Sequence, residues 1–159
     1  MRDTVVITPT NITFSRTTLT VTPHKIIAAA QAQNTGETYR TELLTSKHTL
    51  IADEPADIGG KDEGPAPGEY LCMSLASCKV ITLRMYAQRK GWKVETIKVT
   101  VELVKGADME TGNNTFFSEL SVSGDLTEEQ RVRLLEISKA CPLHKLLGKP
   151  SDLVSTLAT

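Results

Sequence analysis

Short apolar segments in the N-terminal half alternate with polar positions that are rich in threonine. Alternation with a period of two predicts β-strands, because successive side chains of a strand point to opposite faces of a sheet. The expected strands are TVVIT (residues 4–8), ITFSRTTLTV (12–21), KIIAAAQAQ (25–33) and one or two more within TYRTELLTSKHTLIADE (38–54). Asn34-Thr35-Gly36 predicts a turn after the third of them. The pattern leaves open whether residues 1–22 form an additional strand pair or an arm.

A turn-rich segment leads into the longest helical pattern of the chain. Residues 55–68, PADIGGKDEGPAPG, contain three prolines and four glycines and therefore predict a loop. The next segment, EYLCMSLASCKVITLRMYAQRKG (69–91), predicts one long helix that follows Pro67 and ends at Gly91. Side chains at i, i+4 and i+7 spacing share one face of a helix. That face is expected to carry Leu71, Leu75, Cys78, Thr82 and Met85.

The C-terminal part combines two strand patterns with a second helix. VETIKVTVELV (94–104) and TFFSELSVSG (115–124) predict strands, which the turn GADMETGNN (106–114) connects. Thr127 and Gln130 have the spacing of a capping box, in which each side chain accepts a hydrogen bond from the other residue's backbone N–H. A helix is therefore expected from residue 128 onward, and LVSTL (153–157) is a candidate for a last strand.

The second helix pattern runs into a proline at position 142. Leu134, Ile137 and Cys141 are spaced to share its apolar face. Proline ends or kinks a helix, since the residue before it resists helical geometry. PLHKLLG then predicts a short new helical turn, with Pro142 at its first position and Gly148 at its end. The order of strands, helix, strands, helix and strand predicts an α+β fold.

The composition fits one globular domain and argues against several classes of function. Of the 159 residues, 40% are hydrophobic and 23% are charged, with a net charge of -1. Interspersed charges and an aromatic content of 4% argue against a nucleic-acid surface. No apolar run approaches the ~20 residues of a membrane span, and the N-terminus lacks the pattern of a signal peptide. We therefore expect a cytoplasmic protein that binds neither nucleic acid nor membrane.

Cys78 and Cys141 each lie on an apolar helix face, so their sulfur atoms can meet if those faces pack together. Three cysteines in all are too few for a secreted disulfide scaffold. Core packing, metal binding and redox chemistry all remain open for this pair. The helix break at Cys141 favours a thiolate, because free N–H groups and the positive end of a helix dipole lie there. Cys72 lies on another face and is expected to pack without chemistry.

Three stretches of the sequence resemble the OsmC/Ohr superfamily of thiol-dependent hydroperoxide reductases. They are HTLIADEPADIGGKDEGPAPGEYL (48–71), LASCKVITLRMYA (75–87) and GDLTEEQRVRLLEISKACPLHKLL (124–147). The order ADEP, GG and GPxP before the first cysteine of the pair is most similar to the OsmC-like branch related to YhfA. The resemblance implies two long central helices wrapped by antiparallel β-sheet, in an intertwined homodimer with two active sites at the subunit interface. We expect a single domain over 1–159, with an N-terminal β region (1–47) and a helix and sheet region (48–159).

The resemblance also implies a reaction and a set of site residues. Cys78 is expected to attack an organic hydroperoxide and become a sulfenic acid, which Cys141 resolves to a disulfide. An external dithiol, a lipoylated protein in related enzymes, is then expected to reduce that disulfide. Well-understood members hold the reactive cysteine as a thiolate with an arginine and a glutamate. The nearest candidates here are Arg40 and Glu69, the latter one position after the family's glutamate, and no cofactor or metal is expected.

Two alternatives from other classes accompany this hypothesis. In the first, the protein is a non-enzymatic dimer or redox sensor whose pocket holds an apolar ligand, and the cysteines serve in packing. In the second, His144 joins Cys78 and Cys141 in a metal site, because a Cys-x-x-His spacing can supply two ligands. Without such a site, His144 is expected to cap or pack at the helix break.

Overall fold

The computed structural model describes residues 26–106 and 112–157. The strands expected at 4–8 and 12–21, and the arrangement of residues 1–22, lie outside the described residues. The strand expected at 25–33 is much shorter in the structure, since only Gln31–Gln33 forms a strand. The elements in chain order are β1 (Gln31–Gln33), β2 (Thr41–Leu44), β3 (Thr49–Ala52), a 3-10 turn (Ala56–Ile58), α1 (Pro67–Lys90), β4 (Lys93–Val104), β5 (Thr115–Asp125), α2 (Glu128–Ser138) and α3 (Pro142–Leu147).

The fold is α+β with antiparallel sheets, as predicted. The long first helix and the two long strands occur close to their predicted positions. The strand expected at 153–157 is absent: these residues form no regular structure, and Leu153 and Leu157 are 95% and 92% exposed. An apolar run becomes a strand only where another strand accepts its backbone hydrogen bonds. Within the described ranges, no helix is long and apolar enough to cross a membrane.

The chain divides into two compact units, one of Met1–Pro67 with Ser155–Thr159 and one of Gly68–Val154. The expected subdivision at residue 47 and the single domain over 1–159 both stay predictions. In the first unit, β2 pairs antiparallel with both β1 and β3. The predicted turn at Asn34 is present, where its side-chain oxygen accepts the Gly36 N–H at 2.9 Å.

The loop after β3 folds around the carboxylate of Asp53. Asp53 is 2% exposed, and its oxygens accept the backbone N–H groups of Glu54, Lys61 and Glu63 at 2.9, 3.0 and 3.2 Å. Burial raises the pKa of Asp53, but these three donors and the charge of Lys61 lower it, and the net pKa lies below its ordinary value. The buried carboxylate thus holds the turn-rich segment in one conformation.

Two glycines allow this loop to pack closely. A Cβ atom at position 60 would collide with the backbone carbonyl of Glu54, and one at position 64 would collide with the carbonyl of Ile51. Backbone atoms cannot move aside as the end of a flexible side chain can, so only glycine fits at Gly60 and Gly64. Two glycines of the PADIGGKDEGPAPG segment therefore have a packing role.

Apart from its first residue, Pro67, helix α1 belongs to the second unit, and it ends before Gly91, which has a positive φ of 67°. The N–H groups of Gly91 and Trp92 close the helix on the carbonyls of Gln88 and Ala87 at 3.1 and 3.0 Å. This is the hydrogen-bond pattern of a glycine-terminated helix, as the sequence predicts.

The buried face of α1 differs from the predicted one. Its buried residues follow each other at steps of four: Leu75, Lys79, Leu83 and Ala87. Leu83 and Ala87 pack with Val94 of β4 and Leu134 of α2 to form the core of this unit. Leu71 and Met85, expected on the buried face, are 47% and 56% exposed. The apolar residues of α1 form two adjacent stripes, and the sheet and α2 of this unit cover only one of them.

Two arginines hold the irregular end of the β4–β5 ribbon. The pairing of β4 with β5 shifts between Val94 and Ile97. Arg84 of α1 donates to the carbonyls of Val94 and Glu95, the second at 2.9 Å. Arg131 of α2 donates to the carbonyls of Val122 and Gly124 at 2.6 and 3.4 Å. Backbone carbonyls of both strands around the shift thus accept hydrogen bonds from charged donors of the two helices.

Candidate active site

Two of the three cysteines meet in the second unit. The Sγ atoms of Cys78 and Cys141 lie 2.7 Å apart, and both residues are free thiols. Cys141 is fully buried, whereas Cys78 is half-buried. Because a disulfide bond is about 2.05 Å long, a small movement is enough to join these atoms. Cys72, in the second turn of α1, is half-buried and is also a free thiol.

The break between α2 and α3 positions Cys141. The predicted capping box starts α2: Thr127 Oγ1 accepts the Gln130 N–H at 3.3 Å, and Gln130 Oε1 accepts the Thr127 N–H at 3.0 Å. The helix ends at Ser138, so Cys141 does not lie on its face as expected. Instead it is the residue before α3, with the extended φ and ψ of -54° and 130° that a following proline favours.

The start of α3 acts on Cys78 rather than on Cys141. Burial raises the pKa of the Cys78 thiol, and the adjacent Cys141 sulfur raises it further. The Leu143 N–H and the Thr82 hydroxyl oppose this by lowering the pKa, but the net pKa is raised. The side chain of Cys141 receives no capping hydrogen bond. The thiolate-favouring N–H that was expected at Cys141 is therefore directed at its partner.

A second contact between α1 and α3 lies beside the cysteines. Lys79 Nζ is 3.4 Å from His144 Nδ1. Lys79 is 3% exposed, and burial together with the charges of Lys79 and Lys139 lowers the pKa of His144. Both side chains line a cavity of about 200 Å³, with Val99, Ser118, Leu120, Leu135, Ser138 and Lys139. Sequence reasoning missed Lys79, although its position between Leu75 and Leu83 at steps of four marks it as a charge within an apolar stripe.

The two other site residues expected from the resemblance are Glu69 of α1 and Arg40 of the first unit. Glu69 is in the first turn of α1, and nine residues of helix span about 13 Å along the axis to Cys78. Arg40 belongs to the first unit, where its Nε lies 2.9 Å from Glu63 Oε2 and its Nη1 lies 3.6 Å from Glu42 Oε1. The catalytic roles of both residues stay predictions.

The metal alternative has no geometric support in the described part of the chain. Among those residues, no three His, Cys, Asp or Glu side chains are grouped so that they could hold a metal ion. The His144 nitrogen that faces α1 is directed at a lysine, which is a donor and not a metal ligand.

The model of the OsmC-like protein family matches residues 60–155, more than half of the chain. The chain belongs to the OsmC-like family. This confirms the resemblance that the three sequence stretches indicated, and the matched region includes both cysteines. Among curated proteins, no sequence matches the chain significantly.

Solved structures of OsmC-like proteins share the fold. The OsmC-like protein from Mycoplasma pneumoniae has a TM-score of 0.65 at 15% identity, over 79% of this chain and 89% of that one. An organic hydroperoxide resistance protein, OsmC, from Legionella pneumophila has a TM-score of 0.55 at 20% identity, over 77% and 91%. The organic hydroperoxide resistance protein OhrB of Bacillus subtilis has a TM-score of 0.53 at 21% identity, over 76% and 90%. Identities this low show a shared fold only.

Proposed function

We propose that this OsmC-like protein reduces organic hydroperoxides with Cys78 and Cys141. The observation that carries the proposal is the distance of 2.7 Å between the two sulfur atoms. The half-buried Cys78 is the more accessible thiol, so it is the one that meets the peroxide, and the fully buried Cys141 resolves it. The names of the Legionella and Bacillus relatives, both organic hydroperoxide resistance proteins, support the same reaction.

The reaction balances with two thiols and one hydroperoxide. The Cys78 thiolate attacks the outer peroxide oxygen, the O–O bond breaks, and the alcohol leaves with the proton that the thiol lost. Cys78 is then a sulfenic acid, and Cys141 attacks its sulfur to form a disulfide and release water. The sulfur atoms lose two electrons and the peroxide gains them. An external dithiol, for example on a lipoylated protein, returns the pair to its reduced state by exchange.

The first test is intact mass and thiol counting after one equivalent of cumene hydroperoxide, with no reductant present. The proposal expects rapid loss of two hydrogens per chain and a peptide pair that joins Cys78 to Cys141. Three unreacted thiols after prolonged exposure would refute it. That result would favour the alternative in which the same region holds an apolar ligand and the cysteines serve in packing.

We also propose that the protein is a homodimer, as the family resemblance implies. The exposed stripe of α1 supports this, because Leu71, Ile81 and Met85 are each about half exposed, at 47%, 58% and 56%. At about 100° per residue, these side chains fall within roughly 80° of one another on a helix, and Cys78 lies among them. Large apolar side chains grouped in this way mark an interaction surface. Sedimentation should give twice the chain mass, and Ile81→Glu should give a folded monomer.

A further inference from the structure

Lys79 occupies a position where the helix pattern demands an apolar residue. It lies one turn from Leu75 and one turn from Leu83, and it is 3% exposed. Among the described residues, no carboxylate lies within 4 Å of its Nζ. Burial of an ammonium group is costly unless a negative charge or a strong acceptor compensates it. The compensation for Lys79 must therefore come from other groups around it.

The segment that begins at Cys141 crosses α1 at two neighbouring positions. Cys141 meets Cys78, and His144, three residues later, meets Lys79, the residue after Cys78. An ammonium group is only a donor, so His144 Nδ1 accepts its hydrogen bond and the ring proton lies on Nε2. This contact ties the lysine side chain to α3, the helix that begins directly after Cys141.

The charged and ionisable groups around Lys79 come from α1, from the residue before α3 and from the end of α2. Burial is the largest effect and lowers the pKa of Lys79, and the nearby charge of Lys139 lowers it as well. The thiols of Cys141 and Cys78 act in the opposite direction and raise the pKa of Lys79. A thiolate that stabilises an ammonium group is stabilised by it in turn, but burial and the Cys141 sulfur have the largest effects on Cys78, whose pKa stays raised.

We propose that Lys79 is a positioning residue whose ammonium group stabilises the thiolate form of the Cys78–Cys141 pair. The first proton of the pair leaves to solvent, and the second remains between the two sulfur atoms. The buried positive charge compensates the single negative charge that the sulfurs then share. This inference deepens the proposed function and rests on it only for the effect on turnover.

Lys79 supplies a positive charge within the same unit as the pair, one residue after Cys78. The burial of Cys78 and the presence of Cys141 both oppose ionisation of Cys78. A neighbouring lysine lowers the pH at which a cysteine becomes a thiolate. His144 is important because it holds the ammonium group in place without adding a second positive charge while it is neutral.

The test is a pH titration of thiolate absorbance at 240 nm on the reduced protein, in a Cys72→Ser background that leaves only the pair. Absorbance reports a buried thiolate without any reagent that must reach it. Lys79→Met removes the positive charge and keeps an apolar side chain of similar length. It should raise the pH midpoint of the thiolate titration by about one unit. At a pH below that midpoint, the fraction of thiolate should then be about tenfold smaller than in the parent. Lys79→Arg should return the midpoint close to that of the parent.

Lys139→Met is the matched control, because it removes an exposed lysine that lines the same cavity. Its effect should be much smaller, since solvent and salt screen an exposed charge. Lys79→Gln provides a second neutral variant, and circular dichroism confirms that each variant is folded. An unchanged midpoint in folded Lys79→Met or Lys79→Gln would overturn the inference. A different result is also informative: the Lys79 variants shift the midpoint, but the parent protein does not turn over hydroperoxide. That result would uphold the role of Lys79 in thiolate stabilisation and would refute the proposed reaction.

Discussion

The sulfur atoms of Cys78 and Cys141 lie 2.7 Å apart, although the two residues are separated by 63 positions in the chain. One sits in the middle of the longest helix, and the other forms the break between the last two helices. Only the packing of these elements brings the thiols together. In a pair held in this way, the sulfur atoms need only a small movement to reach the disulfide bond length of about 2.05 Å.

The two cysteines should give different defects when each is replaced. Cys78→Ser should abolish turnover of cumene hydroperoxide, because the nucleophile is lost. Cys141→Ser should allow a single reaction per chain that stops at the sulfenic acid, which dimedone labels and mass spectrometry detects. Cys72→Ser is the matched control and should keep full turnover. Full activity in Cys78→Ser would exclude the proposed chemistry.

Replacement of Lys79 by methionine should decrease the ionisation of the cysteine pair but should not decrease the stability of the fold. An apolar side chain of similar size avoids the cost of burying an ammonium group that has no carboxylate partner among the described residues. We therefore expect Lys79→Met to keep or raise the free energy of unfolding of the reduced protein, measured in urea. A clear loss of stability would mean that the ammonium group is itself required for the fold.

Asp53→Asn should make stability less dependent on pH. The amide replaces one carboxylate oxygen with a donor, so the variant should have a lower urea midpoint than the parent at neutral pH. The pKa of Asp53 is lowered by folding, so its contribution is present above the unfolded value of 3.8 and is lost as the pH falls through the lower folded value. At a pH below the folded pKa of Asp53, the Asp53→Asn variant and the parent should therefore have similar free energies of unfolding. Asp57→Asn, at an exposed acid of the same loop, should behave like the parent at every pH.

The capping box at the start of α2 should have a measurable effect on stability. Thr127→Ala removes the hydroxyl that accepts the Gln130 N–H, and should lower the free energy of unfolding by about 1 kcal/mol. Thr127→Asp restores an acceptor at this position and should recover most of the loss. Equal urea midpoints for Thr127→Ala and the parent would show that solvent replaces the cap at no cost.

Local signals predicted most of the secondary structure. Pro67, Gly91 and the Thr127–Gln130 pair mark helix ends through interactions within a few residues, and the structure has α1 and α2 at those positions. The alternating segments that became β4 and β5 were recognised for the same reason. LVSTL was wrongly assigned because a strand also requires a partner, and a short apolar segment carries no information about that partner.

The sequence by itself determined the family, the long helix, the paired strands and the helix break beside Cys141. Those features depend on spacing and on the conformations that proline and glycine allow. Only the tertiary structure decided which stripe of α1 is buried, because that depends on the elements that pack against it. It alone placed the Leu143 N–H against Cys78, and His144 beside a lysine in the apolar stripe. The last two contacts each join residues more than sixty positions apart, and the relation between such distant positions is set by packing and not by local pattern.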